Sequence, residues 1–196
     1  MAKRQNRNAR NAANLRHYTR RIVEHYRAAS AETVSRGAGW YVEANAIAQS
    51  IADLTGIALP RVIGAIAALS PRNSWGSNVK GARILALAAR AGLPQPVVAG
   101  TRTNRAKAWA ILNGADIDTT LGGPKVRAFY ANISGDHTRA TVDVWATRAA
   151  TGGTAIVPRK ADYPLFERAY QRAALTLGIT TAACQAVVWV AVRGQA

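Results

Sequence analysis

Leu121-Gly122-Gly123-Pro124-Lys125-Val126-Arg127 is the stretch on which the reading of this chain turns. Two glycines stand directly before a proline, and proline belongs in the first turn of a helix, where its missing amide costs nothing. A helix is therefore expected from Lys125 to Ile133, ending near Gly135. Free amides at such a helix start, approached closely through Gly122 and Gly123, make a phosphate-binding nest. Lys125 lies one residue inside that helix, at the positive end of its dipole, which makes its amine a candidate nucleophile. Arg127 adds a second cation on the same turn. The plain alternative is a glycine turn followed by a solvated lysine.

Downstream, a polar reversal at Ser134-Gly135-Asp136-His137-Thr138 leads to Thr141-Val142-Asp143-Val144-Trp145-Ala146-Thr147-Arg148. Asp143 is flanked by apolar residues and opens a helix expected to run to Ala150, before Gly152; its ordinary reading is an N-cap. Upstream, Leu15, Tyr18, Ile22 and Tyr26 recur at helical spacing, and Trp40, Ala44, Ile47, Ile51 and Leu54 repeat the pattern before Gly56. Pro60 opens a short apolar helix to Leu69. Further helices are expected over 74–91, 103–112, 163–177 and 181–192. Alternation of period two is scarce, so the class is all-α.

Lys and Arg number 26 against 10 Asp and Glu, a formal charge of +16 that calls for a polyanionic partner. The excess runs from Lys3 and Arg4 to Arg168 and Arg172, so a folded basic surface is expected beside the basic start. Residues 1–14 carry Arg and Lys with almost nothing to bury, and are expected to be a flexible basic arm that solubilises the chain or holds phosphates. The single Cys184 lies among apolar neighbours and supports neither a disulfide framework nor a metal cluster, which suits a reducing cytoplasm. His17, His25 and His137 lack metal-ligand spacing, so no metal site is expected. No serine sits in a nucleophile elbow, and no secretory signal is expected. From Ala173 to Val192 there are twenty uncharged residues, but Gly178, Thr180 and Thr181 divide them into two packed helices, so no membrane span is expected. Trp40, Trp109 and Trp189 lie in apolar helical stripes and are read as core; Trp75 and Trp145 are open to stacking on an extruded base.

The two central segments together resemble the endonuclease III type of helix-hairpin-helix DNA glycosylase. That family has an L-P-G-V-G-x-K-T-A hairpin and, eighteen residues after its lysine, the aspartate of V-D-T-H-V. Here L-G-G-P-K-V-R-A and V-D-V-W-A keep that spacing, 143 minus 125 being 18. Ala68-Leu69-Ser70-Pro71-Arg72-Asn73-Ser74-Trp75, then Asn78-Val79-Lys80-Gly81-Ala82, resembles the family's L-S-A-Q-x-T…V-N-x-A segment, and Asn104-Arg105-Ala106-Lys107-Ala108 its K-A helix. The resemblance covers roughly residues 60 to 150. Three departures stand out. Leu121 is four positions before Lys125 where the family has six, Trp145 replaces a histidine, and the iron-sulfur ligands are missing.

The resemblance implies a two-lobed helix-hairpin-helix DNA glycosylase fold. Residues 57–135 would form the barrel lobe with the hairpin, and residues 15–56 plus 136–196 a second lobe built from both termini. It implies Lys125 as nucleophile at the anomeric carbon of a flipped nucleotide, Asp143 as electrostatic or acid-base partner, and strand cleavage through the Schiff base. Arg72 falls where the family fills the gap left by the flipped base, with Asn73, Lys80, Gly122, Gly123 and Arg127 on the DNA and Trp75 and Trp145 at the base. Duplex DNA is the expected partner of a monomer that needs no cofactor and works in a bacterial or bacteriophage-infected cytoplasm. Two rival expectations stay open. One is a glycosylase-fold enzyme that builds hypermodified bases in bacteriophage DNA, for which the short hairpin and Trp145 speak; the other is a noncatalytic DNA-binding protein.

Overall fold

The computed structural model describes residues 2–153 and 157–194, with side chains from Arg10 onward. Every regular element among the described residues is a helix: α1 (Ala2–Arg27), α2 (Ala31–Thr55), α3 (Leu59–Leu69), α4 (Trp75–Arg90), α5 (Arg102–Leu112), α6 (Ile117–Thr120), α7 (Pro124–Ile133), α8 (Val144–Thr151), α9 (Tyr163–Leu177) and α10 (Thr181–Arg193). The protein is all-α.

Residues 2–14, expected to be a flexible arm, are the first turns of α1 instead; Met1 lies outside the described residues. The physical reason is local. No Gly or Pro occurs before Gly37, Ala and Arg are among the best helix formers, and a helix nucleated around buried Leu15 extends upstream at little cost. Composition that cannot form a core can still form a helix.

The chain divides into two units, Val42–Gly135, and Met1–Tyr41 with Asp136–Ala196. The later turns of α2 serve the 42–135 unit: Asn45 Nδ2 donates to Ile133 O at 2.8 Å. Residues 154–156, 195 and 196 of the expected second lobe lie outside the described residues.

In the 42–135 unit, α3 is the central element. Its residues Val62 to Leu69 are all buried, as an apolar helix packed by α4, α5 and α7 requires. Arg61 ties it to α5 by donating to Ile111 O at 2.8 Å. Ser74, Thr101 and Asp116 cap α4, α5 and α6 through their side chains.

In the other unit, α1, α8, α9 and α10 pack around Ile22, Val142, Phe166, Tyr170, Cys184 and Val188. Tyr163 is buried, and its hydroxyl donates to Ala140 O at 2.6 Å and accepts from Val142 N at 3.1 Å, which fixes the segment leading into α8. At Gly37 of α2 a Cβ would stand 2.4 Å from Val187 Cα, so glycine is what lets α2 reach α10. The uncharged run from Ala173 to Val192 is split between α9 and α10, bent by 100° at Gly178 to Thr180, and no single helix among the described residues is long and apolar enough to cross a membrane.

Candidate functional site

The start of α7 is built by its sequence. Gly123 has φ 75 and ψ 147, a backbone region that side-chain-bearing residues avoid, and Pro124 follows in the first turn. Gly123 has no side chain to receive the first-turn amides, so those of Lys125 and Val126 have neither a cap nor an intrahelical acceptor. Leu121, 2% exposed, anchors the loop from below. Arg127 folds back and donates to Leu121 O at 3.2 Å and Asp118 O at 2.8 Å. It gathers the carbonyls of the hairpin on one side and leaves the amide side clear. Arg127, expected on DNA, thus serves first as the brace of the hairpin. Lys125 is half-buried at the mouth.

Two further segments meet this hairpin. From α5, the Lys107 ammonium comes so close that a Cβ on Gly122 would lie 2.9 Å from its Nζ. One turn earlier on the same face, Asn104 Nδ2 donates to Pro71 O at 3.5 Å in the α3–α4 corner. That corner holds Arg72, exposed and the sole non-glycine residue with positive φ, 59°, among the described residues. Ser70 Oγ and Asn73 Nδ2 in this corner, and Asn78 Oδ1 in the first turn of α4, are buried without a hydrogen-bond partner among the described residues. A strained backbone over unpaired polar groups is costly and is characteristic of functional loops. Trp75 then packs edge-on against Phe129 of α7, with ring centroids 6.4 Å apart. Phe129 is one turn from Lys125, so the corner lies alongside the first half of α7. Lys80 is exposed but sits about 140° around α4 from Trp75, on another face. Asn73 turns its amide inward rather than to solvent.

Asp143 is assembled in the other unit. As N-cap of α8 it accepts from Trp145 N and Ala146 N, both at 2.9 Å, through Oδ1. Its second oxygen, Oδ2, accepts from Trp189 Nε1 at 3.1 Å. Trp189 and Trp40, read from sequence as core, are half-buried and pack with ring centroids 6.4 Å apart. Arg193 lies over Trp189 at 4.6 Å and Arg148 over half-buried Trp145 at 4.4 Å. The carboxylate is therefore held in an aromatic setting edged by two guanidinium groups. Behind it, burial pushes the Tyr170 hydroxyl well above its usual range. Burial likewise pushes the Cys184 thiol up to about 12. Neither group exchanges protons at neutral pH, and among the described residues no group of three or more His, Cys, Asp or Glu could hold a metal ion.

Lys125 thus belongs to the 42–135 unit and Asp143 to the other. A family of unknown function, DUF7178, matches residues 4–196. The chain belongs to this family. No curated protein and no solved structure matches it. Because the match runs through both units, the α7 hairpin and the Asp143 cluster both fall within the family's extent.

Two participants escaped the sequence reading of the site. From sequence Lys107 reads only as part of a helical block, although the Asn104/Lys107 spacing of three already puts both on one face. From sequence Trp189 reads as core, although the pairs Trp189/Arg193 and Trp145/Arg148 have the spacing at which an arginine reaches over an indole.

Proposed function

We propose that this chain is a DNA glycosylase of the helix-hairpin-helix kind that excises a damaged or modified base from duplex DNA, with Lys125 as nucleophile and Asp143 as its electrostatic partner. The observation that carries the reading is the open start of α7. Two amides, the Gly122-Gly123 pair, the Lys107 ammonium and the Lys125 amine share one hairpin whose carbonyls are turned away by Arg127. Such a cradle suits the phosphates of one strand, while Arg72, held at φ 59° beside it, suits insertion into the stack from which a nucleotide leaves.

In the reaction the Lys125 amine attacks C1′ of the extruded nucleotide. The new N–C1′ bond forms as the glycosidic bond breaks, the base departs with the bonding electrons and takes up a proton, and the lysine nitrogen loses one. Ring opening then gives a Schiff base, from which elimination of the 3′ phosphate cleaves the strand. The Asp143 carboxylate stabilises positive charge developing at the sugar. The lobes named from the resemblance, 57–135 and 15–56 plus 136–196, belong to this proposal.

One observation favours a second reading, a DNA-binding protein without chemistry: both Asp143 oxygens are already engaged, by the α8 amides and by Trp189. Borohydride separates the two. Incubated with a panel of duplexes bearing single modified bases, the glycosylase yields a covalent complex on reduction, and Lys125→Gln yields none. Retention of the duplexes with no trapped complex on any of them, and no abasic product, would leave the binding protein standing.

A further inference from the structure

A groove of about 430 Å³ runs between α1 and α9, away from both clusters described above along the chain and within the unit of residues 1–41 and 136–196. Arg16, Arg20 and Arg27 of α1 and Arg172 of α9 line it, with Glu24 as its only acidic member. Positions 16, 20 and 27 fall within about 40° of one another around the helix, so the three arginines form a row rather than a scatter. Arg168, exposed one turn before Arg172, continues the charge along α9.

Glu24 is spent on neighbours: its oxygens lie 3.6 Å from Arg20 Nε and 3.5 Å from Arg21 Nη1. Exposed pairs of this kind contribute little, and they leave Arg16, Arg27 and Arg172 with no side-chain partner among the described residues. Three unpaired guanidinium groups lining one groove repel each other, and an anion relieves that repulsion. The groove is open along its length rather than enclosed, which fits a linear polymer better than a small ion. From Arg16 to Arg27 the helix advances about 16 Å, a length over which a nucleic-acid strand presents about four or five phosphates.

We propose that the α1–α9 groove is a docking surface for the phosphodiester backbone of duplex DNA, contacting it through Arg16, Arg27 and Arg172 without reading sequence. It supplies affinity and leaves the chemistry to other residues. The groove goes beyond the proposed excision and does not depend on it, since phosphate contacts can serve either an enzyme or a binding protein.

Fluorescence anisotropy of the full chain with a labelled duplex of unmodified sequence, over a sodium chloride series, tests this. Each lost phosphate contact flattens the slope of log affinity against log salt by about 0.9, so the R16Q/R27Q/R172Q variant is expected to lose about 2.7 from the slope. Glu24→Gln works in the other direction, removing the one negative charge, and is expected to tighten binding several-fold; it keeps the test open if the triple variant does not fold. Slopes and affinities of both variants equal to wild type would overturn the proposal. So would a wild-type chain that ignores DNA but binds vesicles containing phosphatidylserine. A flattened slope in a chain that never forms a borohydride-trapped complex would sink the excision reading and leave the groove standing.

Discussion

Two helix starts in this molecule face the same physical problem and solve it differently. At α8 the first amides are satisfied by the chain itself: Asp143 accepts from Trp145 N and Ala146 N, and Trp189 steadies its other oxygen. At α7 the cap position is Gly123, which offers nothing, and the amides of Lys125 and Val126 face outward beside two lysines. Unsatisfied amides at a helix start carry about half a positive charge between them. A capped start contributes stability, and an open one costs stability unless an external anion completes it. The contrast assigns different consequences to Asp143 and Lys125 before any reaction is named.

The largest effect should come from Lys125→Gln. The residue is half-buried at the mouth of the hairpin and makes no capping bond, so stability should stay within about 0.5 kcal/mol of wild type. Excision should fall by about 10³-fold or more, with loss of the trapped complex, because the proposed nucleophile is removed. Single-turnover product analysis and a urea melt together give both numbers. A variant that unfolds while its residual folded fraction still excises would reverse the assignment of the two helix starts.

Asp143 should behave in the opposite way. Asp143→Ala removes a cap worth about 1 kcal/mol and strands a half-buried indole N–H, for a loss of about 2 kcal/mol in the unfolding free energy from a urea melt. Asp143→Asn keeps a capping oxygen but turns an amide N–H towards the Trp189 indole N–H, so it should cost about 1 kcal/mol, less than the alanine variant. If the carboxylate also serves the reaction, that same Asn variant loses on the order of 10²-fold in excision while remaining folded. Equal activity of wild type and Asp143→Asn would reduce Asp143 to its structural role.

What the sequence disclosed about these two sites follows the range of the forces involved. Gly122-Gly123-Pro124 and Asp143 were legible because backbone sterics and capping act over three or four residues. The helices were legible where apolar residues recur with the helical period, as at Leu15, Tyr18, Ile22 and Tyr26 of α1. The start of α2 at Ala31 and the one-turn α6 at Ile117–Thr120 carry no such period and went unread. Contacts distant in sequence were closed to inspection: Trp189 meets Asp143 across 46 positions, and Lys107 meets Gly122 from another helix. The first turns of α1 failed for a different reason. A low apolar content argues against a core, but helix propensity is a separate quantity, and there it prevailed.

Arg72 offers a smaller effect of informative sign. At φ 59° a side-chain-bearing residue is strained, and glycine is not, so Arg72→Gly should stabilise the folded chain by about 1 kcal/mol. The same change should lengthen no contact within the core, since Arg72 is exposed. If the strain is kept for insertion into DNA, the more stable variant excises more slowly. A gain in stability with unchanged excision would mean that the corner's strain has no part in the reaction.

Gly122→Ala should have the smallest effect on function and isolates the open helix start from everything else. The new methyl would meet the Lys107 ammonium 2.9 Å away, and that group ends a flexible side chain that can swing aside. Gly122 does not need a positive φ, so the backbone accommodates alanine and the melt should move by less than about 0.5 kcal/mol. Displacing Lys107 removes one cation from the cradle, and duplex affinity should drop a few-fold, with a salt slope flatter by about 0.9. The α8 start has no counterpart to this experiment, because its anion is covalently part of the chain. Should Gly122→Ala bind DNA as wild type does, the open amides of α7 would be waiting for something other than phosphate.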